Sequence, residues 1–421
     1  MKFFFPDSQD LVDPSFDFLT ERRSTTRVRH QHDQYPHEVF STAPYDGLLV
    51  SKAIVDGTGT DGGRYTIAQR QRLLREGVRT FFRIEDRPIE TMGDCGAFSY
   101  VRERRPPYSV QEVIDFYVNC GFDYALAVDH IILAYREDLD RSLSGIDVVP
   151  EEWRERQDIT LELAKEFLSL HQRERCRFTP VGIAQGWSPE SYASAFVSLE
   201  KMGYGYIALG GMVPLKTNEI LACLKAVSKV KRATTKIHLL GVTRVEHIPR
   251  FSKLGVVSFD STSPLRQAFK DEKDNYYTLT RTYRAIRVPQ VDGNPKLRQL
   301  ILSGKVDQRQ ARRLESGCLD RLLAYGEHKC GLEETLEAIQ EYERLHEGTS
   351  PRGSSYREVL ADRPWEKCSC EICRRIGIHI ILFRGAERNR RRGFHNLHVF
   401  NRRLHREVKG AAQEDERVGR R

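Results

Sequence analysis

The sequence predicts an α/β fold: a (β/α)8 TIM barrel with a helical insertion and a C-terminal Cys3His zinc-binding subdomain. Short apolar runs alternate with amphipathic helical stretches from Gly47 onward, which is typical of parallel strands joined by crossover helices. Residues 294–350 lose this alternation and keep only helical periodicity. Three cysteines then lie within Cys368-Ser-Cys-Glu-Ile-Cys373, and His395 follows them.

The length and composition indicate a globular protein. A chain of 421 residues can bury a large core, enough for a barrel of about 250 residues with additions. No apolar run approaches the roughly 20 residues that a membrane-spanning helix needs, and the apolar run at the N-terminus is too short for a signal peptide. We therefore expect a cytoplasmic protein without membrane contact, whose thiols stay reduced and available for metal.

The barrel is expected over residues 44–293, after an irregular extension of residues 1–43 that is polar and lacks steady periodicity. Seven strands are predicted: 47–54, 88–92, 124–128, 179–184, 206–209, 237–240 and 256–259. Helices are predicted at 67–76, 110–120, 152–172, 189–202, 218–229 and 245–253. Seven units with room for an eighth strand favour a closed barrel over an open sheet. No Gly-x-Gly-x-x-Gly loop follows the first strand, which argues against a dinucleotide-binding fold.

The remaining chain is divided by composition. Residues 294–361 are expected to form a helical insertion and linker, with helices at 296–306, 308–325 and 332–346 and a Gly/Ser/Pro-rich linker at 348–355. Residues 362–409 contain the cysteine cluster and would form the zinc-binding subdomain. Residues 410–421 are polar and are expected to be disordered.

The cysteine cluster predicts a structural zinc site. Of the nine cysteines, six are scattered and fit small core residues. The other three, Cys368, Cys370 and Cys373, are too closely spaced and odd in number for a disulfide framework. Three thiolates and one imidazole form the closed tetrahedral ligand set of zinc, with no position left for a substrate water. His395 is the expected fourth ligand, with His379 and His398 as alternatives.

Arginines surround the predicted histidine ligand, at positions 388, 390, 391 and 392 before it and 402, 403 and 406 after it. Most charge runs are solvated tails. This run brackets a metal ligand, so part of it should be ordered, and the net charge of the chain is +8. An ordered basic face suggests that the protein binds nucleic acid.

Polar residues follow four of the predicted strands: Asp94, Asp129, Gln185 and Asp260. Any one of them could equally be a helix N-cap or a turn former. In a barrel, however, the carboxyl ends of the strands converge on one space, where chemistry gathers. Three acids and an amide at equivalent ends therefore favour function, and Gly210-Gly211 adds a place where backbone N–H groups can approach a ligand.

Paired carboxylates without a catalytic metal suit substitution at an anomeric carbon, where one attacks C1′ and the other moves protons. A carboxylate beside an amide can also read the edge of a guanine-like base, because it accepts from N–H groups while the amide donates to the carbonyl. Phe98 could stack on such a base or belong to the core.

Several motifs, in this order, resemble the tRNA-guanine transglycosylase superfamily, zinc-containing TIM-barrel enzymes that exchange guanine for a 7-deazaguanine. They are Gly93-Asp-Cys-Gly-Ala-Phe98, Val128-Asp129, Gly182-Ile-Ala-Gln-Gly186, Leu209-Gly-Gly-Met-Val-Pro-Leu215, His238-Leu-Leu-Gly-Val242, Phe259-Asp260 and His395-Asn396 with the cysteine cluster. The resemblance covers roughly Gly47 to Arg406.

The resemblance implies Asp260 as the nucleophile of a covalent glycosyl-enzyme intermediate and Asp94 as the acid/base group near the base. It further implies a set of base-binding residues and the zinc ligands. The base would be bound by Phe98, Asp129, Gln185, Gly211 and Leu240, and the zinc by Cys368, Cys370, Cys373 and His395.

Departures from the tRNA enzymes indicate the branch. Ser261-Thr-Ser-Pro-Leu-Arg-Gln-Ala-Phe269 replaces the Pro-Thr-Arg and Arg-Asn-Gly segments of bacterial tRNA enzymes, and Met212-Val-Pro-Leu215 is closer to archaeal enzymes that take 7-cyano-7-deazaguanine (preQ0). These features look like the DNA-modifying branch, which places 7-cyano-7-deazaguanine into DNA, with other proteins of a DNA-modification system as candidate partners. One alternative is the same exchange on tRNA. A second is a non-enzymatic nucleic-acid binder, but the strand-end acids disfavour it. A third is a glycoside hydrolase, which would leave the basic segment unexplained.

Overall fold

Eight parallel strands close into a barrel, as the sequence predicted. The computed structural model describes residues 1–58, 61–141, 149–270 and 273–418. The barrel strands are β1 (Lys2–Pro6), β2 (Gly47–Ser51), β3 (Glu90–Asp94), β4 (Tyr124–Leu126), β5 (Thr179–Ala184), β6 (Tyr206–Leu209), β7 (Lys236–Leu239) and β8 (Val256–Asp260). Strands β2 to β8 neighbour one another in chain order, and β1 closes the ring between β8 and β2.

The N-terminus supplies the eighth strand, so the prediction of irregular structure was wrong for residues 2–6. Phe4 lies opposite Asp260 of β8 on one side and Gly47 of β2 on the other. Phe3, Phe4 and Phe5 are all buried. A barrel strand covered on both faces shows a continuous apolar run instead of alternation. Such a short run at a chain end could not be recognised as a strand from its periodicity.

Helices follow most of the barrel strands, close to their predicted positions except for the first, which occupies residues 52–56 although a strand was predicted as far as residue 54. They are Lys52–Asp56, Ile67–Phe81, Val110–Cys120, Glu151–Arg173, Pro189–Met202, Thr217–Val230 and Ile248–Lys253, with 3-10 turns at Ala97–Tyr100, Glu137–Arg141 and Val245–His247. A two-stranded sheet joins Gly57–Thr58 to Asp61–Gly62. The helices Val110–Cys120 and Pro189–Met202 have the predicted ends. Each begins after a serine capping box and ends at a glycine in the left-handed conformation, and both are strong signals in a sequence.

The chain forms two compact units. The first contains Met1–Gln9, Tyr45–Thr262 and the residues from Leu404 onward, and the second contains Asp10–Pro44 and Ser263–Arg403. The last barrel strand ends at Asp260, so residues 263–293, which the sequence assigned to the barrel, belong to the second unit.

The second unit is mainly helical, and its three predicted helices are present. Its helices are Pro36–Val39, Ser263–Gln267, Pro295–Leu302, Gln308–Gly326, Leu332–Glu347, Gly353–Asp362, Pro364–Lys367, Glu371–Ile376 and the start of Gly385–Val418, with a 3-10 turn at Gly377–Ile381. Its strand pairs are Tyr276–Tyr277 with Thr282–Tyr283 and Ile286–Arg287 with Leu382–Phe383. The predicted linker is partly helical from Gly353. The predicted disordered tail begins inside the last helix, and residues 419–421 lie outside the described residues.

The predicted basic face around His395 is only partly at the surface: Arg402 and Arg406 are exposed, whereas Arg388, Arg391 and Arg392 are buried. Arg388 forms an ion pair with Glu21, Arg391 with Glu387 at 2.7 Å, and Arg392 donates to backbone carbonyls. Burial alone would raise the pKa of Glu21, but hydrogen bonds from Arg384 and Gln290 and the arginine charges outweigh it and lower the pKa to about 2. These buried arginines stabilise the interior of the second unit and do not present a surface for a polyanion.

Across the described ranges, the structure contains no helix with both the length and the apolar character that crossing a membrane requires.

We expect Phe4→Ala to lower the free energy of unfolding by about 3–5 kcal/mol, because it leaves a cavity among tightly packed barrel side chains. Phe4 is 1% exposed and belongs to a buried cluster with Leu49 and Met92. Urea unfolding would measure the loss. The matched change Ile67→Ala, at a side chain 71% exposed, should alter stability by only about 0.5 kcal/mol. Equal effects of the two changes would contradict the assignment of β1 to the barrel.

Candidate active site and metal centre

The four predicted strand-end residues lie at the same end of the barrel. Asp94 and Asp260 are the last residues of β3 and β8, Gln185 directly follows β5, and Asp129 lies three residues beyond β4. The amide of Gln185 donates from Nε2 to Asp129 Oδ2 at 2.6 Å. The charges of Asp129 and Asp260 both act on the carboxyl of Asp94. The structure therefore brings together residues that are far apart along the chain.

The carboxyls of Asp94 and Asp129 are harder to ionise than ordinary carboxyls. Burial is the main cause at Asp94, followed by the charge of Asp129, and its pKa rises to about 7 although the Gly96 N–H group opposes the shift. Burial also raises the pKa of Asp129, to about 6, against hydrogen bonds from Cys95 and Gln185. Near neutral pH, Asp94 can thus hold or release a proton, which suits a general acid/base group.

The amide of Gln185 is held in one orientation. Its Oε1 accepts from the Ile132 N–H group at 3.1 Å, so Nε2 faces Asp129 and keeps a second proton to donate. A Cβ atom at Gly210 would lie 2.1 Å from Gln185 Nε2. At Gly211, which has φ +69°, a Cβ atom would lie 2.4 Å from the Ile132 carbonyl oxygen. The glycine pair is therefore needed for close packing against this amide.

Cys95 and Tyr100 belong to this network, although the sequence interpretation gave neither a role and took Cys95 for a core residue. The thiol of Cys95 donates to Asp129 Oδ1 at 3.2 Å and accepts from the hydroxyl of Tyr100 at 3.0 Å. Tyr100 also contacts the Asp129 carbonyl oxygen at 3.1 Å. Both side chains are buried. The available signal was the position of Cys95 directly after Asp94 in a functional motif.

Asp260 is buried, and among the described residues it receives its hydrogen bonds on one oxygen. The Gly241 N–H group donates to Oδ1 at 3.0 Å, and His238 Nε2 lies 3.2 Å from the same atom. Gly241 has φ +74°, a conformation that favours glycine. His238 is the first residue of one of the sequence motifs, but it was not predicted as a site residue.

The two predicted apolar contacts of the base differ in exposure. Phe98 is 53% exposed in the 3-10 turn after β3, so it is not a core residue and its ring is accessible from solvent. Leu240 directly follows β7 and packs against the buried cluster inside the barrel. Both positions lie at the carboxyl end of the strands, as binding residues of a barrel do.

A separate cluster in the second unit has the composition of a metal site. One ligand atom from each of Cys368, Cys370, Cys373 and His395 lies within 4.8 Å of the others. His395 Nδ1 is 3.4 Å from the sulfur atoms of Cys370 and Cys373 and 3.8 Å from that of Cys368. These four residues fit a closed tetrahedral site.

The surroundings of His395 fix its ring for coordination. Its Nε2–H group donates to the Tyr277 carbonyl oxygen at 2.7 Å, which leaves Nδ1 free to bind a metal. The ring of Tyr276 stacks on the His395 ring, with the two ring centroids 4.4 Å apart. The alternative ligands are engaged elsewhere: His379 contacts Arg388, and His398 stacks on Phe40. The structure therefore selects His395 as the fourth member of the cluster.

No family model matches the sequence. A curated protein of Salmonella montevideo, named DNA-guanine transglycosylase, is 52% identical to this chain over 408 residues. The match covers 96% of this chain and 96% of that protein, so it includes both the barrel and the cysteine cluster.

Asp94→Asn should change stability in a pH-dependent way. The pKa of Asp94 rises from 3.8 to about 7 on folding, so the folded chain binds the additional proton between these values. The contribution of this carboxyl to stability is therefore present at low pH and is lost as the pH rises through that window. The Tm of the variant should be close to that of the wild type near pH 4 and should exceed it near pH 8. A Tm difference that stays constant over this range would contradict the raised pKa.

Proposed function

The chain belongs to the DNA-guanine transglycosylase family, and we propose that it inserts 7-cyano-7-deazaguanine into DNA through a covalent intermediate on Asp260. Exchange of guanine in DNA follows from the family. The incoming base and the covalent step are the further parts of the proposal. The observation that carries them is the shared position of Asp94, Asp129, Gln185 and Asp260 at the carboxyl end of the barrel.

The Asp129–Gln185 pair suits the edge of a guanine-like base. Asp129 can accept from the ring N–H and amino groups of the base, and the remaining amide proton of Gln185 can donate to the base carbonyl. Guanine and 7-cyano-7-deazaguanine share this edge, so one pocket can hold the leaving and the incoming base. Phe98 would stack on one face of the base and Leu240 would pack on the other, with the backbone at Gly211 nearby.

The first half of the reaction replaces a bond to nitrogen by a bond to oxygen. The target guanine leaves the base stack to reach the barrel, at a cost of roughly a few kcal/mol. A carboxylate oxygen of Asp260 attacks C1′, the C1′–N9 bond breaks, and its electron pair stays on the base. Asp94 supplies the proton that the departing guanine takes up, which its pKa of about 7 permits near neutral pH.

The second half reverses these roles. The 7-cyano-7-deazaguanine base gives its N9 proton to Asp94 and attacks C1′ from the face opposite to Asp260. The bond between C1′ and the Asp260 oxygen breaks, and the carboxylate is released. Two inversions at C1′ give net retention, as in retaining glycosidases.

Zinc is the metal that we propose for the cysteine cluster. Three thiolates and one imidazole match its preference, and all four protein ligands together leave no place for a reacting water. When bound, the metal would cross-link the chain around Cys368 to the helix that carries His395. Its contribution would be to folding and not to the chemistry at the barrel.

The purified protein should contain about one zinc per chain, and removing the metal should destabilise it. Cys370→Ser should lose the zinc and lower the Tm, because the closed site needs all four ligands. Cys176→Ser, at a thiol outside the cluster, is the matched control and should retain both. Elemental analysis and thermal unfolding are the measurements. Full zinc content in Cys370→Ser would exclude this ligand set.

Asp260→Asn should lower the rate at which labelled guanine is exchanged into duplex DNA by roughly 10³-fold or more, because the amide cannot act as the nucleophile. Wild-type protein stopped during turnover should carry a covalent DNA adduct on Asp260, detectable by mass spectrometry. Asp46→Asn is a matched control at the other end of the barrel, where Asp46 accepts from the Phe3 N–H group. Unchanged exchange by Asp260→Asn would end the proposal. Supplying tRNA in parallel tests the alternative substrate.

A further inference from the structure

We infer that His238 is a positioning residue that holds Asp260 with Oδ1 fixed and Oδ2 directed at C1′. This inference rests on the proposed role of Asp260 as the nucleophile. Nε2 of His238 and the Gly241 N–H group both lie within hydrogen-bond distance of Asp260 Oδ1, at 3.2 and 3.0 Å. With one oxygen held by two donors, the other oxygen is the one that can form the bond to the sugar.

Strand register places the histidine beside the carboxylate. His238 on β7 lies opposite Ser258 on β8, and Asp260 follows Ser258 by two residues on the same face of β8. All three side chains therefore point to one side of the sheet. The imidazole has no exposed surface. The rings of Phe4 and Tyr206 pack against it edge-on, with ring centroids 6.0 and 6.5 Å from its own. Packing thus restricts its orientation from two sides.

A chain of hydrogen bonds assigns the direction of each donor. The carboxylate of Asp260 only accepts, so Nε2 of His238 donates to it. In the neutral imidazole, Nδ1 is then an acceptor, and it lies 2.7 Å from the Ser258 hydroxyl, which donates to it. The hydroxyl of Tyr206 donates in turn to the Ser258 oxygen. Every polar atom of the imidazole is therefore used, and the chain ends on the reacting carboxylate.

His238 held in this way can assist Asp260 in both halves of the reaction. In the first half, fixing Oδ1 limits rotation of the carboxylate while Oδ2 approaches C1′. In the second half, the carboxylate regains its negative charge as its bond to C1′ breaks. A donor that faces Oδ1 stabilises this charged state more than the neutral ester, because hydrogen bonds to ionised acceptors are the stronger ones. Because His238 has no exposed surface, it would act through Asp260 and not by contact with the base or the sugar.

Two variants separate positioning from simple packing. In His238→Gln, the side-chain Nε2 occupies nearly the place of the histidine Nε2 and can still donate to Asp260. In His238→Asn, the shorter amide can reach Ser258 but not Asp260. The turnover number for labelled-guanine exchange into duplex DNA should stay within about threefold of wild type in the Gln variant. It should fall by about 10- to 100-fold in the Asn variant, because a small misplacement of a reacting group has a cost of this size.

The KM for the free base should stay unchanged in both variants, since the base-reading pair Asp129–Gln185 is untouched. Equal loss of activity in the Gln and Asn variants, or wild-type turnover in the Asn variant, would overturn the inference. If the Asn variant does not fold, Ser258→Ala replaces it. That change removes the donor to Nδ1 and should lower the turnover number with an unchanged KM, and wild-type turnover would likewise overturn the inference.

The same assay with Asp260→Asn tells the two possible failures apart. Exchange that persists in Asp260→Asn contradicts the proposed function itself. Exchange that is lost in Asp260→Asn but is insensitive to the choice between Gln and Asn at position 238 contradicts only the role of His238.

Discussion

Three carboxyls share one end of the barrel, and the limited access of water to this space is the constraint on which the site depends. Burial makes Asp94 and Asp129 harder to ionise, and at Asp94 the charges of Asp129 and Asp260 add to this effect. The surrounding donors offset this cost unequally. Asp129 receives hydrogen bonds from Gln185 and Cys95, and Asp260 receives them from Gly241 and His238. The pKa of Asp94 is raised to about 7, further than the pKa of Asp129, which is raised to about 6. Different surroundings thus give three residues of one type three different chemical properties.

This division of properties matches the division of labour in the proposed reaction. A residue that must give and take back a proton needs a pKa near the working pH, which fits Asp94. A residue that reads a base needs fixed lone pairs, and Asp129 has both oxygens oriented by neighbouring donors. A nucleophile needs one free oxygen and little rotation, and Asp260 has its described hydrogen bonds on Oδ1 alone. Glycines at positions 211 and 241 permit the close backbone approaches that these arrangements require.

The second unit uses its polar residues for a different purpose. Arg384 and Arg388 bind Glu21, so an N-terminal segment is joined to residues close to the C-terminus by buried ion pairs. Removing one partner of such a pair would leave an uncompensated buried charge, which is strongly destabilising. The cysteine cluster also brings together residues that are distant in sequence, because Cys368, Cys370 and Cys373 lie close to His395. A run of arginines therefore supports internal structure here, although in the sequence it has the composition of a nucleic-acid-binding surface.

Local periodicity, capping residues and short spacings encode the repeated strand–helix units, the ends of the well-capped helices, the strand-end acids and the cysteine cluster, so these features were predictable from the sequence. Which distant residues come into contact was visible only in the folded chain. The tertiary structure placed the N-terminal phenylalanines in the barrel, since a strand covered on both faces has no distinctive periodicity. It buried three arginines of the basic run, selected His395 over two nearby histidines, and placed His238 against Asp260. Burial and partners depend on contacts between distant segments, and no local pattern of residues specifies those contacts.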